Sequence, residues 1–404
     1  MTAGRVQAAS PAQAACCPVC GDGSPADLLE IPAVPVYCNV LWPRREEALR
    51  AARAPISLKH CATCGHSFNA AYDAGLTDYS PAYDSSLHYS PRFSRYAEEL
   101  ARRLVDRYAL RGKDVVEIGC GKGDFLVLLC ELGENRGWGF DRSFDPGRVD
   151  AARRQRINFV QAFYTAEQAA RLRPDFVCCR HVLEHVADPR GFLGELRRGF
   201  PDHSGAVLYC EVPNALFTLK DMGIWDLIYE HCAYFTLGSL AQAAMRSGFD
   251  ILAMGESFGG QFIYIEMRPG TGYDPAAVPE PHQPAEVSRH TGRFAGRYRD
   301  AVGAWQGRLR ELRRAGHTAV VWGGGSKGTT FLNVLGSDSG IDYVVDLNPH
   351  KQGRYVAGTG QRVVPPEFLR EMRPTEVIVM NPIYQDEIAA SVRGLGLDAR
   401  VHCV

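Results

Sequence analysis

The sequence predicts an α/β protein in three parts, two of them strand–turn–helix units that open on a Gly-rich turn. Three observations carry this. From about residue 79 to 268, short apolar runs alternate with amphipathic stretches, the pattern of a parallel sheet flanked by helices. Gly-rich turns follow apolar runs twice, at residues 119–123 and 323–328. Six of the thirteen cysteines fall in the first 64 residues, at positions 16, 17, 20, 38, 61 and 64. At 404 residues the chain is two to three times the usual domain length of roughly 150. Its 46% apolar and 23% charged residues exclude a disordered tail, a collagen-like chain and a small disulfide scaffold. The net charge of −1 carries no electrostatic footprint for nucleic acid, so none is expected as a partner.

No window approaches the ~18 apolar residues of a membrane span, and no membrane partner is expected. The first residues lack the apolar run of a secretory leader. The QAAC ending at Cys16 resembles a lipoprotein cleavage site without its apolar stretch. The expected compartment is the cytoplasm, where clustered cysteines read as metal ligands before disulfides.

Taken in order, residues 1–78 form a Cys- and Pro-rich segment. Cys17-Pro-Val-Cys20 and Cys61-Ala-Thr-Cys64 are two C-x2-C pairs. A two-residue gap lets a tight turn aim both thiolates at one ion, and two such knuckles complete a tetrahedral zinc site. Gly21 and Gly65 follow the pairs and suit those turns. Four thiolates leave no open position, so the zinc is expected to be structural. The gap between the pairs is long enough that Cys38 or His66 stays open as a substitute ligand, and a redox dithiol is the lesser alternative.

Residues 79–268 hold the first α/β unit. Val115-Val116-Glu117-Ile118 reads as a strand. Gly119, Gly121 and Gly123 then make a tight turn, and Asp124 is expected to cap a helix carrying Phe125, Leu126 and Leu129. Glycines there let the backbone pass close to a ligand. The next strand ends at Asp141, where a carboxylate can hold a ribose diol. The acid precedes the first glycine, an order that resembles motif I of class I S-adenosylmethionine methyltransferases. The segment from Arg180-His181 through Leu183-Glu184-His185 to Asp188-Pro189 resembles a post-strand segment of the same superfamily. By that resemblance Glu117, Gly119, Gly121, Gly123, Asp141, Arg180 and His181 bind S-adenosylmethionine in a Rossmann-like methyltransferase core. His185 itself reads as a packed or capping histidine.

The densest polar-aromatic cluster is Asp226, Tyr229, Glu230, His231, Tyr234 and Thr236. Methyl transfer to carbon needs a base that removes a proton next to a carbonyl, and histidine suits that work near neutral pH. Cysteine pairs, methyltransferase core, this E-H-x-x-Y-F segment and a second Rossmann-like unit together resemble the bacterial sugar C-methyltransferases. Those enzymes act on nucleotide-linked 4-keto-deoxysugars. The resemblance implies a catalytic His231 supported by Glu230 and Tyr229. It also implies substrate contacts from Tyr79, Tyr83, Asn214 and Tyr234. Two departures stand out. Ile228-Tyr229-Glu230-His231 replaces the usual Tyr-His-Glu-His, and residues 257–263 (SFGGQFI) replace THGGSLR. O- or N-methylation of another small molecule is therefore the alternative.

Residues 269–290 carry five prolines and read as a linker. Residues 291–404 form the C-terminal Rossmann-like unit. Phe294, Tyr298, Val302, Trp305, Leu309 and Leu312 mark one face of a helix. Gly323, Gly325 and Gly328 fit G-x-G-x-x-G, and the next strand ends at Asp346. A dinucleotide enzyme or NAD-binding protein is thus a further alternative. Lys327 is expected to contact a phosphorylated or nucleotide-linked substrate. A small molecule is the expected partner, and the oligomeric state is left open.

Overall fold

The computed structural model describes residues 16–80, 82–150, 153, 155–201, 205–270, 282–336 and 339–404. The QAA ahead of Cys16 and the middle of the Pro-rich linker lie outside the described residues. The last part of that linker is a helix, Pro284–Thr291, with Pro284 at its first turn, where a missing N–H costs nothing.

The cysteine-rich segment supplies β1 (Ala26–Pro35), β2 (Arg53–His60) and β3 (Ser67–Asn69). The core supplies β4 (Asp114–Ile118), β5 (Arg136–Phe140), β6 (Ile157–Val160), β7 (Phe176–Arg180) and β8 (Val207–Pro213). β9 (Ala233–Tyr234) follows, then β10 (Phe249–Ser257) and β11 (Phe262–Pro269). The core sheet runs β10-β11-β8-β7-β4-β5-β6, and β11 is antiparallel to both its neighbours. β4 to β8 are parallel. From β4 the chain winds outward through β5 and β6, then returns to β7 on the other side, so the switch point lies between β4 and β7. Ligands of open α/β sheets bind in that crevice, beyond the carboxyl ends of the strands.

Helix Pro91–Arg107 covers one face of this sheet. Ser90 caps it by accepting from Phe93 N at 3.3 Å, and Phe93, Ala97, Leu100, Ala101 and Leu104 form its buried stripe. The stripe packs with Phe125, Leu126 and Leu129 of helix Asp124–Gly133 in one apolar cluster.

The C-terminal sheet is all parallel. Its strands β12 (Ala319–Trp322), β13 (Ile341–Val345), β14 (Arg362–Val364), β15 (Glu376–Val379) and β16 (Arg400–Cys403) stand in the order β14-β13-β12-β15-β16. Helix Phe294–Arg314 buries Phe294, Tyr298 and Leu309, as its periodicity predicts.

The cysteine-rich segment is less separate than its composition suggests. Ile31, Ile56 and Leu58 of its strands share one core with Trp225 and Tyr229 of the central unit and with Phe294, Phe331 and Val344 of the C-terminal unit. β9, from the central unit, completes its sheet beside β3. Trp42 and Tyr355 exchange backbone hydrogen bonds at 2.9 and 2.8 Å, joining it to the C-terminal unit. A sheet this small buries too little alone and borrows surface from both neighbours.

Candidate active site

At the switch point the predicted cofactor residues converge. β4 ends at Ile118, and Gly119, Gly121 and Gly123 all take positive φ (68°, 55° and 89°), which glycine adopts without strain. A Cβ on Gly119 would stand 2.2 Å from Val182 Cγ2, whereas one on Gly121 would meet nothing within 4 Å. The first glycine is fixed by packing and the second borders open space. Asp141, just beyond β5, accepts from Gly121 N at 2.8 Å and Ser143 N at 2.6 Å. Asp124 does not cap the helix, as the sequence suggested. It is the first helical residue, behind Gly123, and accepts from Ser86 Oγ at 2.9 Å.

Glu117 is buried, and that burial pushes its carboxyl up to about 8 against the pull of Arg180. Its Oε2 and Arg180 Nη2 are buried without a hydrogen-bond partner. Buried polar atoms in a native fold are paired or await a ligand. An open glycine cradle, an aspartate at the second strand tip and two buried polar atoms without a partner fit S-adenosylmethionine, whose amino-acid end is zwitterionic. His181 has a positive φ of 55°. Burial opposes charge on its ring, yet the Glu184 and Glu211 carboxylates at 3.6 and 3.4 Å outweigh it and raise its pKa.

Beside this crevice lies a histidine pair. The His185 and His231 rings are 5.0 Å apart, and Glu184 stands with them. His185 Nδ1 lies 3.0 Å from the Tyr79 hydroxyl and 2.9 Å from the Glu230 carbonyl. His185 therefore lies against His231, a neighbour its sequence position did not reveal beyond its adjacency to Glu184. Burial lowers both histidines to about 4. Asp226 opposes that shift at His231, with Lys327 working the other way. A small recess beneath His231 is lined by Asn214, Thr218, Asp226 and Tyr234.

The remaining predicted residues divide. Glu230 is fully buried beside the histidines, but its Oε2 accepts from Cys38 N at 2.7 Å, and burial pushes it up to about 8. Tyr83 packs edge-on against Tyr79 at 5.1 Å. Asn214 spans the Gly260 carbonyl and Glu256 with its amide, bracing the Gly-Gly loop. Tyr229 faces away from the histidines. Its hydroxyl accepts from Asp73 N at 2.7 Å and its ring packs on Tyr72, so it anchors the N-terminal segment. Lys327 reaches out of the C-terminal turn to Asp226 Oδ1 at 2.6 Å.

Cys17, Cys20, Cys61 and Cys64 come together with all four sulfurs within 4.8 Å. The Cys17–Cys64 and Cys20–Cys61 sulfurs are 3.5 Å apart. Zn–S bonds of about 2.3 Å imply tetrahedral edges of about 3.8 Å, which this spacing approaches. The knuckles are alike: Gly21 N donates to the Cys17 carbonyl at 2.9 Å, and Gly65 N to that of Cys61 at 2.8 Å. The donor set fits a closed structural zinc. Cys38 lies elsewhere, 4.0 Å from Thr330 Oγ1. No helix among the described residues is long and apolar enough to cross a membrane.

Comparison with known proteins gives a matching picture. A family described as a methyltransferase domain matches residues 92–254, and one described as the C-methyltransferase C-terminal domain matches 285–396. The C-methyltransferase NovU of Streptomyces niveus is 23% identical over 412 aligned residues, covering 92% of this chain and 90% of that one. The mitochondrial ubiquinone biosynthesis O-methyltransferase of Dictyostelium discoideum is 26% identical over 123 residues, or 26% of this chain and 37% of that protein. Among solved structures, the Burkholderia thailandensis 1,6-didemethyltoxoflavin-N1-methyltransferase with S-adenosylhomocysteine is similar at 17% identity and a TM-score of 0.34. That match covers 45% of this chain and 81% of that one.

Proposed function

The chain is a class I S-adenosylmethionine-dependent methyltransferase, and we propose that it methylates a carbon beside a carbonyl of a small metabolite. A nucleotide-linked keto-deoxysugar is the class its three-part architecture favours. The observation that carries this reading is the His185–His231 pair beside the cofactor crevice, roofed by Tyr79 and Tyr83. When bound, S-adenosylmethionine supplies an electrophilic sulfonium methyl group. Burial keeps His231 unprotonated at neutral pH, so its imidazole is free to take a proton. The cation so formed is stabilised by Asp226 on the same wall. His185, held by the Tyr79 hydroxyl and the Glu230 carbonyl, borders the place where an enolate oxygen would form.

Removing the base should lower turnover by about 10²- to 10⁴-fold. His231→Ala is therefore expected to bind S-adenosylhomocysteine as the native protein does while losing that much activity on keto-deoxysugar nucleotides. Product mass spectrometry with a trideuteromethyl cofactor identifies the acceptor. Wash-in of solvent deuterium at a carbon of the acceptor, dependent on His231, is expected for C-methylation. Methyl transfer without wash-in, with the label on oxygen or nitrogen, would replace this reading with heteroatom methylation.

A further inference from the structure

Glu184, His185 and His231 offer one ligand atom each, and these atoms all lie within 4.8 Å of one another. Among the described residues, only this group and the four-cysteine cluster gather metal-ligating side chains so closely.

Glu184 is buried, and its Oε2 has no hydrogen-bond partner. Its Oε1 lies 3.6 Å from His181 Nδ1, so one arm of the carboxylate is engaged and the other is open. A buried carboxylate oxygen calls for a proton donor or a cation. Both histidine rings are oriented by backbone carbonyls. The Glu230 carbonyl lies 2.9 Å from His185 Nδ1. A carbonyl carries no proton, so Nδ1 donates and Nε2 keeps its lone pair. The Asp226 carbonyl is the acceptor for a ring N–H of His231, which leaves a lone pair on the other nitrogen. Histidines that ligate metals are held in this way, with one ring nitrogen on a carbonyl and the other on the ion. The spacing agrees. The two ring centroids stand 5.0 Å apart. Imidazoles on adjacent positions of one ion, through bonds of about 2.1 Å, have centroids about 4.5 to 5.2 Å apart.

The donor set decides the ion. Two imidazoles and a carboxylate suit divalent zinc, nickel, cobalt or iron, whereas magnesium and calcium take oxygen ligands. Unlike the four thiolates, three protein ligands leave coordination positions open.

We propose that Glu184, His185 and His231 form a second metal site, for a divalent transition metal, and that its occupation switches methyl transfer off. The switch rests on the reading of His231 as the base. The lone pair that takes the proton of the acceptor is the one an ion takes, so the two states exclude each other.

Protein whose cysteine cluster already holds zinc is titrated calorimetrically with Ni2+, and separately with Mg2+, near neutral pH. One further equivalent of Ni2+ is expected to bind, and no Mg2+. Co2+ in place of Ni2+ should absorb weakly, without the intense charge-transfer band of a thiolate site. Losing the outer partner of a ligating histidine costs about 10- to 100-fold in metal affinity, and losing a ligand should cost at least as much. E184Q and H185Q are each expected to weaken Ni2+ by at least about 10-fold, with retained S-adenosylhomocysteine binding as the measure of a folded site. Methyl transfer should fall in step with Ni2+ occupancy and return when citrate removes the ion. No equivalent beyond the cysteine cluster, or full Ni2+ affinity in both variants, would overturn the site. Occupation that left methyl transfer intact would overturn the base role of His231, and with it the switch, while the metal site stood.

Discussion

The two Gly-rich turns share a scaffold in which the aspartate ending the next strand braces the turn, yet their surroundings differ. In the first, Asp141 accepts from Gly121 N at 2.8 Å and from Ser143 N, two residues on. In the second, Asp346 accepts from Gly324 N at 2.8 Å and from Asn348 N, again two residues on, at 2.8 Å. The difference lies before and inside the turn. Two residues ahead of the first glycine stands Glu117 in one and Val321, fully buried, in the other. Gly121 borders open space. Gly325 faces Asn39 and Lys351, whose nearest atoms would lie 3.7 and 3.8 Å from its Cβ. Glycine spacing therefore reports the strand–turn–helix geometry, whereas the acid and the open cradle report the ligand. This weighs against NAD at the C-terminal fingerprint and for a turn that serves the neighbouring unit.

If the reacting groups sit on the first turn's side, the acid response belongs there too. His185 and His231 are held at about 4, against about 6.5 in an unfolded chain. Between those values the unfolded state binds protons that the folded state refuses, so stability falls as pH drops from 6.5 to 4 and levels below it. The expected loss is on the order of 3 kcal/mol for each histidine. Denaturant titrations across pH 4–7 should show a flatter profile for H185Q/H231Q. A native slope retained in the double variant would place the acid sensitivity elsewhere.

Matched substitutions test the turns directly. An alanine methyl at Gly121 has no protein atom to meet and projects into the cradle. Gly121→Ala should weaken S-adenosylhomocysteine by about 10- to 100-fold. The left-handed backbone there adds a stability cost of about 1–2 kcal/mol. Gly325 has an extended backbone, φ −103°, and Gly325→Ala should alter stability by less than about 0.5 kcal/mol and leave cofactor affinity as it was. Equal losses at the two glycines, measured by calorimetry and melting, would erase the distinction drawn between them.

Much of this was legible in the chain itself because it is local. The knuckles, the strands ending at Ile118, Arg180 and Trp322, and the pairing of Glu117 with Asp141 all follow from spacings within about 25 residues. What stayed hidden depends on contacts between distant segments. Nothing near His185 in sequence says that it will face His231, because the turn after β7 and the segment before β9 meet only in the folded core. Tyr229 read as part of the site from its neighbours Glu230 and His231, but a buried hydroxyl needs a partner and found the Asp73 backbone. The cysteine-rich segment looked independent by composition, although its strands share a core with both other units.

The smallest expected effect asks what the second turn does in place of binding a nucleotide. Lys327 occupies the position from which a fingerprint lysine would meet a phosphate, yet its ammonium lies 2.6 Å from Asp226 Oδ1 in a largely buried pair. Asp226 is also the carboxylate that favours a protonated His231, and Lys327 offsets it. The C-terminal unit thereby sets how strongly the core stabilises the imidazolium. Lys327→Met leaves Asp226 uncompensated, which raises the affinity of His231 for a proton. The acid limb of the kcat profile should move toward higher pH, and kcat at neutral pH should change by less than about tenfold, one pKa unit of altered interaction. Cofactor affinity should stay at the native value, because no atom of the first turn is touched. An unmoved limb would reduce the Lys327–Asp226 pair to a clasp between the two units. A weakened cofactor would mean that the two turns are coupled after all.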